Sequence, residues 1–516
     1  MGGVAGADPR WDRCGASKCC RAGSGGQTAE RNRTDQYRTG RGHDGAGHWS
    51  KPLPGSGRMA CRRSGIRRGV LYSGLLCNRV TGALDRLGID PAICRSGVGM
   101  TFHQEAICTI AVLATAGVIL RPFRIPEWVW AVMGAAALVL AGLIPLTMAG
   151  AGLVKGGDVY LFLIGMMLLS ETARANGLFD WIATWAVNHA AGSTAKLFTL
   201  VYLAGVVVTT FMSNDATAVV LTPAVFAAAK KAKADPLQLL FACALVANAA
   251  SFVLPVSNPA NLVLYDGALP ALGSWMRSFA LPSLLAIMTT YLVLRLIERS
   301  HLHQDCASQV ETTPLTVGGK AAFVGIVLTA LLLVTVSACD LSLGLPTALA
   351  GIGTALGVSA LARRSPIALM RDISWGVLPL VGGLFVLVAA VESTGVVGVL
   401  ANLLQQAANT DPVTAAWGAG ALLAFISNIM NNLPAGLIAS ETVAHTHVSR
   451  QVIDTLLIGV DLGPNLSVTG SLATILWLQV IRREGEEVGF LQFLRVGAVA
   501  MPVALFMALG ARLLIG

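Results

Sequence analysis

Four short polar stretches interrupt the apolar part of this sequence, and two of them lie in each half. Residues 211–217 (FMSNDAT) match residues 425–431 (FISNIMN), and residues 255–261 (PVSNPAN) match residues 467–474 (SVTGSLAT). Ser, Thr and Asn supply neutral hydrogen-bond donors and acceptors, whereas Pro and Gly interrupt helices and expose backbone groups. In hydrocarbon such stretches are costly unless they are buried in protein or face a watery cavity. They predict a binding site for a small polar solute.

The predicted site takes its members from all four stretches. The substrate-binding candidates are Ser213, Asn214, Thr217, Ser257, Asn258, Asn261, Ser427, Asn428, Asn431, Asn432, Thr469, Gly470 and Ser471. The alternative is that these small residues only let helices pack closely. Their symmetric arrangement favours a transport site. A membrane-embedded enzyme would need a motif such as His-Glu-x-x-His, which the sequence lacks, so no catalytic residue, metal ligand or cofactor is assigned.

Two carboxylates near these stretches are candidates for carrying a coupling proton. Asp215 lies on the first polar tip, and Asp461 begins the run DLGPN before the second break. An ionisable residue at membrane depth is by default a functional hypothesis. The alternative is that each carboxylate caps a half-helix by accepting backbone N–H bonds. Glu171 and Glu392 lie near helix ends and are interpreted as interfacial or capping groups.

The elements that would position these residues are apolar helices. The chain has 516 residues, of which 54% are hydrophobic and 13% charged, a balance typical of membrane proteins. Most apolar runs reach the roughly 20 residues needed to cross a bilayer. We predict spans over 104–120, 127–149, 157–174, 237–264, 276–296, 320–338, 345–361, 373–391, 451–481 and 490–514, to within about 4 residues.

Two further segments, 195–229 and 413–447, each contain two apolar arms joined at a polar tip. We interpret them as re-entrant hairpins rather than pairs of spans. The positive-inside rule is consistent with this interpretation, because most basic residues then share the cytoplasmic side. That side collects Arg121, Arg124, Arg174, Lys230, Lys231, Lys233, Arg295, Arg299, Arg363, Arg364, Arg371, Arg482 and Arg483, and the other keeps Lys155, Arg277, Arg450 and Arg512.

The longest polar break, 298–319, predicts a cytoplasmic central loop between a first repeat, 100–297, and a second repeat, 320–516. Each repeat has about five spans and one hairpin, which gives 10–12 transmembrane segments. An odd number of spans inserts the second repeat upside down, as in secondary transporters that work by alternating access. The predicted fold class is an all-α polytopic membrane protein with two inverted repeats. His301 and His303 in the loop could bind a metal, but such pairs are more often solvated surface.

Residues 1–99 differ from the rest of the chain. They hold the excess of Lys and Arg behind the formal net charge of +9, with many Gly and Cys and no sustained apolar periodicity. This composition predicts a disordered leader rather than a nucleic-acid-binding domain, a zinc site or a signal peptide. We expect the leader to be non-native, with the working start at Met100, where hydrophobic character begins.

The second half carries the most specific family resemblance. Residues 425–434 (FISNIMNNLP) and 458–477 (IGVDLGPNLSVTGSLATILW) resemble two stretches of the arsenical pump membrane proteins, the ArsB-type arsenite permeases, and residues 213–223 (SNDATAVVLTP) resemble them too. The likeness runs over nearly all of 100–516. More distantly, the Ser-Asn tips are similar to those of divalent anion and sodium symporters of the ion transporter superfamily. That relationship implies two hairpins flanking a central site, in a transport domain that moves against a scaffold.

The resemblance implies a multi-pass protein of the inner (plasma) membrane that exports arsenite and antimonite in exchange for protons. It also implies a possible soluble, arsenite-stimulated ATPase on the cytoplasmic face, because the chain has no nucleotide-binding loop of its own. Neutral As(OH)3 or Sb(OH)3 would suit a cage of hydroxyls and amides. The family commonly has Cys and Lys where this chain has Val460 and Asn465. The alternative is a sodium/proton antiporter or a sodium-coupled anion carrier of the same superfamily.

Overall fold

The computed structural model describes residues 101–265, 269–302, 305–311 and 314–515. The predicted leader, 1–99, and His303 therefore lie outside the described residues. Helices of the first half are α1 Phe102–Leu120, α2 Glu127–Leu140, α3 Leu146–Lys155, α4 Gly157–Ala175, α5 Leu178–Ala190, α6 Thr194–Phe211, α7 Asn214–Ala216, α8 Thr222–Lys231, α9 Pro236–Ala249, α10 Pro259–Leu264 and α11 Leu272–Ile297. A π-helical run, Thr217–Leu221, joins α7 to α8.

Helices of the second half follow after the polar loop. They are α12 Val317–Ala338, α13 Gly344–Ala362, α14 Pro366–Asp372, α15 Val377–Ser393, α16 Val396–Thr410, α17 Pro412–Met430, α18 Asn432–Ala444, α19 Arg450–Leu462, α20 Leu472–Arg483 and α21 Phe490–Ile515. Because a helix satisfies its own backbone groups, this all-helical architecture suits a hydrocarbon environment. The predicted all-α membrane fold is confirmed.

Seven helices in the described ranges are long and apolar enough to cross a membrane, and the number rises to nine if each bent pair counts as one span. The bent pairs are α3 with α4, at 48°, and α14 with α15, at 50°. The span predicted over 127–149 is wrong, because α2 ends at Leu140 and α3 begins after Pro145. Proline lacks an N–H and fixes its own φ, so it ends one helix and starts the next.

The predicted hairpins and broken spans correspond to pairs of shorter helices. The first hairpin comprises α6 to α8, and the second comprises α17 and α18. α6 and α17 have 18 and 19 residues, so by length alone they could also cross a bilayer. The spans predicted over 237–264 and 451–481 are each interrupted, between α9 and α10 and between α19 and α20. Each interruption coincides with a predicted polar stretch.

The order of elements in the first half recurs in the second. In both halves a helix pair is followed by a bent pair, a short helix, a hairpin, a broken span and a 26-residue helix, α11 or α21. Contacts are exchanged accordingly: α4 packs on α13 while α15 packs on α2, and α8 packs on α20 while α18 packs on α10. This exchange is the pattern that a two-fold relation between the halves requires. Opposite insertion of the two halves remains a proposal.

Two groups of helices can be distinguished by their packing. α1 to α4 pack with α12 to α15, whereas the hairpins and broken spans pack with α11 and α21. The groups meet mainly where α15 contacts α18 and where α4 contacts α10. An ion pair crosses this boundary, since Lys155 Nζ of α3 lies 2.5 Å from Glu441 Oε1 of α18. The second hairpin is therefore tied to the other group at its outer end.

Candidate substrate and coupling site

Each of the four predicted polar stretches leads into a helix that begins inside the protein. A side chain from the stretch caps the N-terminus of that helix by accepting a hydrogen bond from a backbone N–H of its first turn. The caps are Ser213 of α7, Asn258 of α10, Asn431 of α18 and Ser471 of α20. Helix N-termini carry partial positive charge and unpaired N–H groups. Four of them in the interior create a polar region within an apolar bundle.

Asn428 joins the tip of the second hairpin to the second break. Its Nδ2 donates to the carbonyl oxygens of Ala424 and Gly463, at 2.8 and 3.0 Å. Its Oδ1 accepts from the backbone N and the Oγ of Ser467, at 3.1 and 2.8 Å. Thr469 Oγ1 adds a bond to the Asn428 carbonyl at 2.8 Å. All hydrogen-bonding groups of this amide are used, so Asn428 shapes the site rather than offering a free group to a solute.

Gly470 permits this close approach. A Cβ at this position would lie 2.5 Å from Pro464 Cα and 2.7 Å from Asn428 Oδ1, too close for any side chain. Its carbonyl oxygen accepts from the backbone N of Asn432 at 2.8 Å. Tip and break are thus held together by backbone as well as side-chain bonds.

Hydrogen bonds also join the two breaks to each other. Asn258 Nδ2 donates to Asp461 Oδ1 at 2.7 Å. Asn248 of α9 donates to Asn465 Oδ1 at 3.0 Å and accepts from Ser471 Oγ at 3.3 Å. Asn465 in turn donates to the carbonyl of Leu245 at 3.0 Å. Residues separated by more than 200 positions in the sequence therefore share one polar network.

The first hairpin tip has a looser arrangement. Ser257 Oγ donates to the carbonyl of Thr210 at 3.0 Å, linking the first break to α6. Thr217 Oγ1 lies 2.8 Å from Thr209 Oγ1. The Asn214 side chain accepts from the backbone N of Asp215 at 2.9 Å. The Asp215 carboxyl makes no hydrogen bond to any other described residue, which leaves it available to a proton or a solute.

A small cavity of about 80 Å³ reaches this tip. Asp215, Ser213 and Pro259 line it from the hairpin and the first break, and Glu171 lines it from α4. Glu171 is paired with Arg174, at 2.5 Å between Oε1 and Nη2. A larger cavity of about 910 Å³ lies between α1 and α15 to α18, but its lining is largely aliphatic, with residues such as Leu387, Leu404 and Leu423. The smaller cavity therefore has the more polar lining of the two.

Not every predicted member presents a free polar group. Ser427 is fully buried, and its Oγ donates back to the Leu423 carbonyl at 2.7 Å. Asn261 Nδ2 is engaged by carbonyls of its own break, including that of Ser251 at 2.9 Å. The Asn432 amide, by contrast, has no side-chain hydrogen bond among the described residues and is buried. The Asn432 amide and the Asp215 carboxyl are thus two predicted members whose side-chain groups have no hydrogen-bond partner in the described part of the chain.

Sequence reasoning missed three buried polar residues that organise this region. Asn248 and Ser251 are fully buried at the end of α9, and Asp454 is fully buried in α19. Asp454 accepts from Tyr265 Oη at 2.5 Å and from Arg512 Nε at 2.8 Å. An Asn or Asp inside an apolar run was the available signal, because such residues are rare in spanning helices. Among the described residues no cluster of three His, Cys, Asp or Glu side chains could hold a metal ion.

Comparison with known proteins defines the family. A family model described as "Citrate transporter" (CitMHS) matches residues 111–459. The arsenical pump membrane protein of Escherichia coli (strain K12) is 30% identical over 366 residues, which cover 67% of this chain and 84% of that protein. The chain belongs to the CitMHS family of transporters. Its resemblance to the arsenical pump membrane proteins is confirmed, and this CitMHS family member is an integral inner-membrane transporter rather than an enzyme.

Two further comparisons extend this result. An uncharacterized transporter of Mycobacterium tuberculosis (strain ATCC 25618 / H37Rv) is 26% identical over 419 residues, covering 78% of this chain and 97% of that one. The YdaH transporter of Alcanivorax borkumensis, a crystal structure described as having an unusual topology, aligns with a TM-score of 0.51 and 18% identity. The alignment covers 72% of this CitMHS family member and 86% of that chain, and it shows a shared fold.

Proposed function

We propose that this transporter exports arsenite and antimonite from the cytoplasm in exchange for protons, by alternating access. The substrates would be the neutral hydroxides As(OH)3 and Sb(OH)3. The polar site joins Ser, Thr and Asn side chains with four helix N-termini, a set that can hydrogen-bond a neutral hydroxylated solute. The arsenical pump relatives make this substrate class the natural first test.

One observation carries the choice of substrate. In the described part of the chain no Lys or Arg side chain hydrogen-bonds to a residue of the four stretches, while two carboxylates, Asp215 and Asp461, lie among them. A multiply charged anion buried there would lack countercharge and would be repelled by ionised carboxylates. A neutral hydroxide avoids this cost. Export coupled to a proton on one of the carboxylates is consistent with the same charges.

The second candidate is a citrate-type anion carrier or a sodium/proton antiporter of the same superfamily. It is favoured by the family model, whose description names citrate. An anion carrier would need cations bound with its substrate to balance the buried carboxylates. Competition between citrate and arsenite in one assay therefore separates the two candidates.

Alternating access is supported by the division of the helices into two groups. Both hairpins and both broken spans lie in one group of helices. This group contacts the other group mainly through two helix pairs, α15 with α18 and α4 with α10. Movement of one group against the other would expose the polar site to each side in turn. The Lys155–Glu441 ion pair would have to break during such a movement.

The test is arsenite uptake into everted membrane vesicles with and without a proton gradient. We expect gradient-driven accumulation, abolished by a protonophore and by Asp215→Asn. Asp340→Asn, at an exposed carboxylate between α12 and α13, is the matched control and should transport normally. Accumulation that depends on ATP but ignores the gradient would instead support a partner ATPase. Citrate or sodium movement without arsenite movement would contradict the proposal.

A further inference from the structure

One oxygen of the Asp461 carboxyl has no hydrogen-bond partner among the described residues. The residue is fully buried in α19, and its Oδ1 accepts from Asn258 Nδ2 at 2.7 Å. Its Oδ2 is buried without a hydrogen-bond partner among the described residues. An ionised carboxylate in such surroundings is costly, and leaving one oxygen unsatisfied adds to the cost. A proton on Oδ2 would remove the charge and supply a donor.

Among the described residues no Lys or Arg side chain forms an ion pair with this carboxyl. The groups that act on Asp461 are the neutral side chains of Ser251 and Asn258. α9, α10 and α17 contain no Asp, Glu, Lys or Arg, although α9 contributes the buried thiol of Cys243. On α19 itself Asp454 is paired with Arg512 of α21, two turns before Asp461. The remaining charged residues of the packed helices are Arg277 and Arg295 of α11, Glu441 of α18, Arg482 and Arg483 of α20, Arg450 of α19 and Arg495 of α21.

Ser251 lies beside the Asp461 carboxyl but directs its hydrogen elsewhere. Its Oγ donates to the Asn248 carbonyl at 2.8 Å. A hydroxyl that donates one bond still has two lone pairs with which to accept. A protonated Asp461 could therefore donate from Oδ2 to Ser251 Oγ without disturbing the bond to Asn248. A Ser251 hydroxyl that donates to the Asn248 carbonyl is compatible with the neutral form of Asp461.

Asn248 extends this chain of bonds into the second half of the protein. Its side chain donates to Asn465 Oδ1 at 3.0 Å and accepts from Ser471 Oγ at 3.3 Å. Ser471 caps α20, the half-helix on which the first hairpin packs. A displacement of the Asn248 backbone would thus also displace the first break, which follows it in the chain, and the N-terminus of α20.

We propose that Ser251 and Asn248 act as positioning residues that sense the protonation state of Asp461 and pass it to the N-terminus of α20. The inference rests on the proposed proton coupling. With Asp461 neutral, Oδ2–H donates to Ser251 and Ser251 donates to the Asn248 carbonyl. When the proton leaves, the Ser251 hydroxyl turns to Oδ2, and the Asn248 carbonyl loses its side-chain donor and keeps the bond from the Ser251 backbone N, at 3.3 Å. One proton is exchanged at Oδ2, and no other covalent bond changes.

The test is pH-difference infrared spectroscopy of the full-length protein in lipid, without arsenite. We expect a titrating carbonyl band of a protonated carboxylic acid that is absent in Asp461→Asn. In Ser251→Ala the band should move to higher wavenumber, because the acid loses its acceptor. Ser251→Cys, with a weaker acceptor, should give a smaller shift of the same sign if the alanine variant folds poorly. Ser359→Ala should leave the band unchanged, because the buried Ser359 hydroxyl of α13 has no hydrogen-bond partner among the described residues.

Three results would overturn the inference. The first is an Asp461-dependent band that stays in place in Ser251→Ala, and the second is the absence of such a band in the wild type. The third is removal of the band by sodium at fixed pH, which would make the site a cation site. The infrared measurement contains no arsenite, so its result is independent of whether the protein exports arsenite. Failure of this inference and failure of the proposed function can therefore be distinguished. In vesicles that do transport arsenite, Ser251→Ala should keep downhill arsenite exchange and lose gradient-driven accumulation.

Discussion

Asn428 is the residue whose side chain does most to hold a hairpin tip in place. It donates to Gly463 and Ala424 and accepts twice from Ser467. In Asn428→Asp both donated bonds are lost, and a carboxylate faces two carbonyl oxygens. Each bond contributes about 0.5–1.5 kcal/mol, so the loss corresponds to roughly tenfold or more. We expect the initial rate of arsenite uptake into everted vesicles to fall accordingly, at normal membrane abundance.

Asn409→Asp is the control for that substitution. Asn409 is an exposed amide of α16 that pairs only with Gln405, at 2.9 Å, among the described residues. It should leave uptake unchanged. Full uptake by Asn428→Asp would mean that transport does not depend on the hydrogen bonds of the Asn428 side chain.

Asp454 and Arg512 form a buried ion pair that joins α19 to α21. Both side chains are almost completely buried, and Tyr265 donates to the same carboxylate. Arg450 Nε also lies 3.8 Å from Asp454 Oδ2. Breaking a buried ion pair by removing one of its members typically costs about 3–5 kcal/mol. We expect Asp454→Asn and Arg512→Gln each to lower the thermal unfolding midpoint of the detergent-purified protein markedly. The double variant should recover part of the loss.

Tyr265→Phe provides the comparison for this pair. It removes one hydrogen bond to Asp454 and leaves both charges, so its effect should be smaller than either charge removal. A double variant less stable than both single variants would argue against the ion pair as the cause.

At the scale of elements, the contact between α4 and α13 depends on two glycines. A Cβ at Gly351 would lie 2.7 Å from Gly165 Cα. A Cβ at Gly353, which lies on the opposite face of α13, would meet no atom within 4 Å. Small residues at such crossings let helix backbones approach closely. We expect Gly351→Ala to separate the helices and lower the thermal unfolding midpoint.

Gly353→Ala is the matched control on the same helix. It should be neutral or stabilising, because alanine favours helix over glycine by about 1 kcal/mol. Equal destabilisation by both substitutions would show that helix propensity or lipid contact, rather than the close crossing, dominates.

At the scale of the whole molecule, the inverted relation of the two halves can be tested at equivalent positions. Phe123 follows α1 and is 89% exposed, and Cys339 follows α12, the equivalent helix, and is an exposed free thiol. Opposite insertion places these positions on opposite sides of the membrane. We expect a membrane-impermeant maleimide to label Cys339 in intact cells, whereas Phe123→Cys should be labelled only after permeabilisation.

Cys339→Ser removes the native reporter and is the background for the second measurement. Labelling of both positions from the same side would contradict the inverted repeat. It would also require a different account of the basic residues that the positive-inside rule places in the cytoplasm.

The apolar character of the chain and its four polar stretches follow from the order of residues alone. Pro255, Pro259 and Gly470 act through their own backbone chemistry, so the helix breaks could be recognised from neighbouring residues alone. Pro145 carries the same signal, but the span predicted over 127–149 includes it because the surrounding residues are apolar. Local hydropathy defines an apolar run well and its internal break poorly.

Which polar groups meet depends on the three-dimensional packing of the helices. Asn248 and Asn465 are 217 positions apart, and Asn258 and Asp461 are 203 apart. Their contacts depend on how the two halves close on each other, and no local pattern encodes that closure. The same holds for Ser427, whose hydroxyl could have faced a solute but donates to its own helix. Backbone preference and hydropathy are properties of adjacent residues, whereas burial and partner choice belong to the assembled bundle, so the sequence identified the polar stretches and the fold assigned their members different roles.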